Sequence, residues 1–340
     1  MKVCVLTDPT FEDYTPKIYL GDYEWDMVEV IQPSYEFIRN LSKRKRYDVY
    51  LNLCDGGVDE DRPGMDVTQA LEALNLPFTG SDSRFYNPTR EEMQAVAEIQ
   101  GIGFARGFHA ESLRDLSEAK KLRYPLMVKH PLSYASMGMT RESRVETPQQ
   151  LRVQVERMLE LFGGARVEEF IDGREFTCLI VDNPDDLTSP FAYPPGELVF
   201  PKGETFLHTE AKWVEITTIR PVEDAALAER LQDMSRKLYL GMGGVGYGRT
   251  DIRMNSDGEL FILEINPNCA ILYMPDENGP ADVPITYDPD GHRGFMDRIF
   301  RSAIARQQLR VPFETTAKQR VAVERPVPLK SVRPKKSNRL

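Results

Sequence analysis

Short unbroken apolar runs at residues 2–7 (KVCVLT) and 49–54 (VYLNLC) predict strands buried on both faces. Between them lie a polar, aromatic-rich stretch, TDPTFEDYTPKIYLGDYEW, expected to be a loop, and a helical spacing of apolar residues at 34–41. Residues 67–74 place apolar positions three and four apart and predict another helix, followed by a short extended PFTGS. Strand, helix, strand, helix, strand within residues 1–88 predict a small open α/β domain whose ligands sit at the carboxyl ends of its strands. Residues 89–100 predict a helix capped by Thr89 and stopped by Gly101. A strand at 126–130, a small-residue loop, a helix at 148–161 and strands at 165–171 and 175–181 complete a second unit, 89–182. Gly163-Gly164 ends the helix, and Asp172-Gly173 turns between the last two strands. Residues 184–207, rich in Pro, Gly and aromatics, predict an excursion with one strand. Helices at 223–240 and 293–308 then belong to a third unit, 183–313. From Glu314 the chain carries Lys, Arg, Pro and Ser with little apolar patterning, so 314–340 is expected to be a disordered basic tail, dispensable for catalysis.

The sharpest alternation is GYGRTDIRMNSDGELFILEINPN, residues 246–268. Two apolar-rich runs flank Asn255-Ser256-Asp257-Gly258, which predicts a β-hairpin. Pairing Met254 with Glu259 would set Arg249 opposite Glu264 and Asp251 opposite Ile262. Alternation then puts Arg249, Asp251, Glu264 and Asn266 on one face, and Ile252, Leu263 and Ile265 on the other. Two carboxylates and an amide oxygen suit a hard cation such as Mg²⁺, which takes its remaining ligands from water and substrate phosphates. An arginine beside the ion suits a phosphate or a developing oxyanion. A solvated amphipathic hairpin shows the same alternation, and the hairpin alone does not decide between them.

Composition narrows the function classes. With 340 residues, 41% hydrophobic and 28% charged, the chain can bury a substantial core in two or three domains. A net charge of −10 argues against general nucleic-acid affinity. The four cysteines lie far apart without zinc-site spacing, and Cys4 and Cys178 sit in apolar runs as expected of buried thiols. The four histidines are not closely spaced, so a histidine-ligated metal is not expected. No cationic-then-apolar leader and no long apolar span are visible, which predicts a cytoplasmic protein without a membrane partner.

Three further stretches carry candidate chemistry. In YPLMVKHPLSYASMGMT (124–140) Lys129 ends an apolar strand, where a buried ammonium needs an anion. Ser133, Ala135, Ser136 and Gly138 would let a phosphate approach the backbone, although small-residue turns after strands are common and no GK[ST] follows. In VEEFIDGRE (167–175) a strand can offer backbone groups to an adenine edge and Glu175 can accept both ribose hydroxyls. An ordinary hairpin with exposed glutamates has the same pattern. In HTEAKWVE (208–215) Lys212 suits a transferred phosphoryl group, or a surface lysine packed on Trp213.

In this order the motifs resemble the ATP-grasp superfamily and, more narrowly, D-alanine–D-alanine ligase and its relatives. The N-terminal DGGVDEDRPGMDVTQALEALNLPFTGS is similar to that family's glycine-acidic loop, helix and short strand, so the resemblance covers about residues 1–305. It implies an α/β protein with an ATP-grasp fold of two α+β subdomains and a small N-terminal open α/β domain. ATP would lie between the subdomains with Mg²⁺, or Mn²⁺ in its place. Lys129 and residues 134–138, Ser136 and Gly138 among them, would hold phosphates. Glu168, Glu169, Phe170 and Ile171 would line the adenine, Glu175 would bind ribose, and Arg90 falls where the family often has a phosphate-binding lysine. Lys212 would contact the γ-phosphate and, with Ser136 and Arg249, serve catalysis, Arg249 steadying the acyl phosphate and the oxyanion. Asp251, Glu264 and Asn266 would bind the metal.

The resemblance also implies the activity: an ATP-dependent carboxylate–amine ligase for small molecules, working through an acyl phosphate; a homodimer is the expected assembly. A nucleotide-binding protein without ligase activity, or a ligase acting on a peptide or protein terminus, is the alternative. Four departures fall on the amino-acid side: TDPTFEDYTPK after the first strand, Trp213 for a tyrosine, Cys54-Asp55-Gly56 for a histidine loop, and NPNCAILYM after the metal motif. Trp213, with Tyr14, Tyr19 and Trp25, therefore predicts a substrate bulkier than D-alanine.

Overall fold

The computed structural model describes residues 1–9, 16–57, 60–131, 137–206, 208, 218–276 and 279–310. Its N-terminal layer runs β1 (Lys2–Thr7), α1 (Pro16–Tyr19), β2 (Glu24–Glu29), α2 (Ser34–Arg44), β3 (Val49–Asn52) and α3 (Met65–Ala73). The strands form a parallel sheet in the order β2-β1-β3. β2 lies in a stretch expected to be loop. It is an edge strand whose Glu24, Asp26 and Glu29 stay wet, so its alternation carries no apolar signal. PFTGS adds a single parallel bridge, Tyr50 to Phe78, along the far edge.

The helix expected at 89–100 is α4 (Arg90–Gln100), with both halves of a capping box at its start. Glu92 N–H donates to Thr89 Oγ1 at 3.1 Å, and Thr89 N–H donates back to the Glu92 carboxylate at 2.8 Å. Gly101 ends it at φ 64°, a conformation that favours glycine.

A four-stranded sheet follows, made of β4 (Gly107–Ala110), β5 (Leu126–Lys129), β6 (Arg144–Val145) and β7 (Ala165–Glu169) in the order β4-β7-β5-β6. Helix α5 (Pro148–Phe162) covers it, burying Leu151, Val155 and Met158 on Val128, Val145 and Val167.

The large sheet holds β8 (Arg174–Val181), β9 (Phe191–Ala192), β10 (Gly196–Val199), β11 (Thr218–Pro221), β12 (Tyr247–Met254) and β13 (Leu260–Pro267). Its main path is β11-β10-β8-β12-β13, with β9 on β8. α6 (Ala225–Gly241) lies between β11 and β12 in the chain, and α7 (Asp282–Thr286) and α8 (Gly291–Leu309) follow β13. β8 reads as one apolar run because both its faces are covered. Phe176, Cys178 and Ile180 pack with α4 and α6, while Leu179 and Val181 share a core with α8 and with Val3, Val5 and Leu51 of the N-terminal sheet.

β7 and β8 are separated only by the expected Asp172-Gly173 turn, yet they lie in different sheets, and β8 pairs antiparallel with β12 along its whole length. Gly173 has φ 142°, and a Cβ there would meet the Met254 carbonyl at 2.1 Å, so the turn is seated against the hairpin end. The division drawn at 182 therefore cuts the large sheet. We propose instead that the small sheet is an insert spanning roughly residues 105–171, with α4 and β8 belonging to the large-sheet unit.

Candidate functional site

The hairpin exists, with a register different from the one expected. Asn255 Oδ1 accepts from the N–H groups of Asp257 (3.0 Å) and Glu259 (2.9 Å), so the turn closes on Asn255 and Glu259, and Met254 pairs with Leu260. A β-bulge between Asp251 and Ile252 then inserts Leu263 as an extra residue. Arg249 consequently faces Asn266, and Asp251 faces Glu264 directly, not Ile262. Ile262 takes the core place expected for Leu263, beside Ile252 and Ile265.

The bulge gathers the polar set more tightly than simple alternation would. Asn266 Nδ2 lies 3.0 Å from Asp251 Oδ2 and 3.2 Å from Glu264 Oε1. Arg249 grips Asp251 through Nε (3.0 Å) and Nη2 (2.9 Å), and its side chain is 19% exposed against 17% for Asp251. Burial opposes the Arg249 charge, but the Asp251 carboxylate outweighs it and holds the guanidinium above its ordinary pKa. On the neighbouring strand Asp251 stands opposite Thr177, whose buried hydroxyl has no hydrogen-bond partner among the described residues.

This donor set fits a hard divalent cation. It offers two carboxylates and one amide within hydrogen-bond reach of each other on an open part of the sheet. Among the described residues no group of three or more His, Cys, Asp or Glu converges, so such an ion must draw further ligands from water or phosphate.

Arg90, expected at a phosphate, reaches the bulge of the hairpin. It is the first residue of α4, its side chain is 3% exposed, and its guanidinium donates to the Glu264 carboxylate and to the Leu263 carbonyl.

Next to it lies a second charge cluster. Lys129 at the end of β5 forms an ion pair with Glu168 on β7, both buried. Arg166 Nε lies 3.6 Å from Glu168 Oε2, and neither atom has a hydrogen-bond partner among the described residues. Burial pushes the Glu168 carboxyl up, but Lys129, then Arg90 and Arg166, pull it below its ordinary value.

The segment expected to line adenine is partly committed within the protein. Glu169 N–H donates to Arg106 O at 2.8 Å and Phe170 N–H to Pro125 O at 2.9 Å, while Ile171 O accepts from Arg253 Nη1 at 2.7 Å. The Glu169 carboxylate accepts from Arg123 N–H at 3.0 Å, so this side chain is turned to a neighbouring loop. Glu175 is buried and accepts from Arg253 Nε at 2.8 Å; burial raises its carboxyl and Arg253 opposes the rise. The Phe170 ring lies between the guanidinium groups of Arg144 (4.6 Å) and Arg253 (4.7 Å). With Met127, Met139 and Phe206 it forms a small apolar cluster spanning both units, which nothing in the sequence pattern announced. Gly138 has φ 69°, and its carbonyl accepts from Arg157 Nη2 at 2.8 Å, tying the end of the small-residue loop to α5. Ser133, Tyr134, Ala135, Ser136, Lys212, Trp213 and Tyr14 lie outside the described residues.

At the carboxyl ends of β1 and β3, Arg62 Nη1 joins Asp8 (2.9 Å) and Asp55 (2.6 Å), while its Nε reaches Glu60 (2.7 Å). Only the acidic loop was visible beforehand; the grouping depends on the parallel sheet. Nearby is a small pocket, about the size of a water molecule, lined by Leu53, Asp55, Tyr247, Asn268, Cys269, Ala270 and Ile271. Burial pushes the Cys269 thiol up to about 12. Tyr19 and Trp25 do not line this pocket. Trp25 is in β2, and Tyr19 stacks on His292 of α8 at 4.4 Å and donates to Tyr273 O at 2.6 Å.

An ATP-grasp fold is what these sheets define. The family model described as the D-ala D-ala ligase C-terminus matches residues 101–271, half of the chain, and the chain belongs to that family. The D-alanine–D-alanine ligase of Haemophilus influenzae (strain PittEE) is 27% identical over 249 residues, 70% of this chain and 78% of that protein. The D-alanine–D-alanine ligase of Lactococcus lactis subsp. cremoris (strain SK11) is 24% identical over 243 residues, 68% of this chain and 66% of that protein, just under two thirds of its length. Among solved structures, the D-alanine–D-alanine ligase of Bacillus anthracis superposes with a TM-score of 0.68 at 20% identity, covering 91% of this chain and 99% of that one. The same ligase complexed with ATP gives 0.66 at 19% identity, over 91% and 98% of the two chains. Among the described residues no helix is long and apolar enough to cross a membrane.

Proposed function

We propose that this protein is an ATP- and Mg²⁺-dependent carboxylate–amine ligase that joins small molecules through an acyl phosphate. The observation that carries the reading is the hairpin face, where Asp251 and Glu264 stand directly opposite each other with Asn266 between them and Arg249 beside them. In this reading Asp251, Glu264 and Asn266 hold the cation, which when bound neutralises phosphate charge. Lys129 provides the buried positive charge for the phosphates. In this reading the cluster of Met127, Met139, Phe170 and Phe206 takes a flat base, and Glu175 serves the ribose on giving up part of its pairing with Arg253.

The substrate carboxylate takes the terminal phosphoryl group of ATP, and ADP leaves. An amine then attacks the activated carbon, and inorganic phosphate departs with formation of the amide. Both steps place charge on oxygen, and Arg249, kept charged by Asp251, is the described residue positioned to stabilise it. Lys212 and Ser136 keep the catalytic roles that the sequence motifs give them.

For the substrates, we propose amino acids or related small acids, with an ammonium group drawn to the acidic mouth formed by Asp8, Asp55 and Glu60 around Arg62. With Tyr19 packed on His292 and Trp25 on the N-terminal core, the case for a bulky acid rests on Trp213 and Tyr14. Phosphate release across a panel of amino acids, D-alanine and larger acids included, with mass spectrometry of the products, tests both. Release above background with a matching condensed product supports the ligase; ATP binding without release for any pair removes it.

A further inference from the structure

We infer that Arg90 is a positioning residue for the metal site, acting through Glu264 and not by contact with phosphate. The inference rests on the ligase reading for its metal. It rests on its own geometry for the residue.

The β-bulge turns the Leu263 carbonyl and the Glu264 carboxylate the same way, and the Arg90 guanidinium takes both. Of the two Glu264 oxygens, Oε2 is held by Arg90, while Oε1 lies 3.2 Å from Asn266 Nδ2 on the side of Asp251. Arg90 thus fixes the carboxylate so that one oxygen is presented to the cation. Such outer partners of metal-ligating groups set ligand orientation and basicity.

The clamp is itself rigid. The Thr89–Glu92 capping box sets where α4 begins, and Met93 and Ala97 bury α4 in the core that also holds Ile262 and Ile265. At the far end of α4, Ile262 N–H donates to Gly103 O at 2.9 Å, one residue from the bulge. The start of α4 and the Gly103 loop just beyond its end therefore both hold the bulged strand. A guanidinium can serve a carbonyl and a carboxylate together through its planar fork; a lysine ammonium is a point charge on a flexible stem. Arg90 also helps hold Glu168 ionised, so one cation stands between the metal carboxylate of the large sheet and the lysine pair of the small one.

The test uses the full chain. Mn²⁺ is titrated by electron paramagnetic resonance at a saturating level of a non-hydrolysable ATP analogue, and the analogue's affinity is measured separately by calorimetry with metal chelated. Arg90→Ala is expected to weaken Mn²⁺ about 10–100-fold and leave the metal-free analogue affinity essentially unchanged. Arg90→Lys, which keeps a buried charge and serves if the alanine variant does not fold, is expected to lose Mn²⁺ affinity by a smaller factor. In activity assays the Mg²⁺ activation constant should rise more than kcat falls. Unchanged or tighter Mn²⁺ binding in Arg90→Ala overturns the proposal, as does a loss seen wholly in the metal-free analogue affinity. Arg90→Lys with wild-type Mn²⁺ affinity overturns the two-armed clamp. Wild-type protein that binds no Mn²⁺ with the analogue removes the ligase reading and this inference together.

Discussion

Two charge clusters, one on the hairpin and one on the small sheet, differ in burial and in the balance of acids and bases. On the hairpin face Arg249, Asp251 and Glu264 keep 19%, 17% and 21% of their side-chain surface. On the small sheet Lys129, Glu168 and Arg166 keep 11%, 2% and 1%. Partly wet pairs exchange partners at little cost, because water replaces what is lost. A buried ion that loses its partner has no such replacement. The hairpin pairs are therefore the easier to open, while the Lys129–Glu168–Arg166 cluster ties the two inner strands of the small sheet together. Equal substitutions in the two clusters should have opposite signatures.

The largest effect is expected in the buried cluster. Glu168→Gln leaves Lys129 without its anion, while Arg166 keeps Glu91 at 2.8 Å, and should cost about 3–5 kcal/mol of stability at neutral pH, read by urea unfolding. Its pH dependence follows from the direction of the shift. Glu168 is held below the ordinary 4.5, so its contribution is present above pH 4.5 and fades as pH falls through the lower native value. Glutamine does not titrate there, so the stability gap between wild type and variant should narrow on acidification. A gap that widened below pH 4.5 would break the comparison.

The hairpin should respond in rate, not in stability. Asp251→Asn and Glu264→Gln are expected to lower turnover by at least about 100-fold at saturating Mg²⁺. The same Asp251→Asn should cost less unfolding free energy than Glu168→Gln, since the Arg249 pair keeps nearly a fifth of its surface and the Lys129–Glu168 pair is more deeply buried. Turnover that survived both substitutions would remove the hairpin from the reaction. The smallest effect is expected at Trp25, packed on the N-terminal core: Trp25→Phe should leave kcat/KM for every acid in the panel unchanged while lowering thermal stability slightly. A change in substrate preference would return Trp25 to the acceptor wall.

What could be read from the sequence was local. The capped start of α4, its Gly101 stop, both hairpin strands and the lysine strand carry their signals within a few residues. What escaped depends on which distant segments meet. Nothing near Asp172-Gly173 says that the strands on either side join different sheets, because β8 is recruited by β12, far along the chain. The bulge at Leu263 shifts the register by one residue, and no glycine marks it. Arg253 holds Glu175 across 78 residues and Arg90 holds Glu264 across 174, so neither arginine could be assigned its partner from spacing. β2 escaped for another reason: an edge strand with charged residues along it has the composition of a loop.

The most direct test of the account is product formation in wild type and Asp251→Asn, side by side. Both proteins are incubated with ATP, Mg²⁺ and the amino-acid panel, and inorganic phosphate and condensed product are quantified together. The account predicts one phosphate for each amide formed by wild type with at least one pair, and neither from Asp251→Asn although it remains folded. Phosphate and amide from Asp251→Asn at the wild-type rate, or ATP bound by wild type with no phosphate released for any pair, would contradict it.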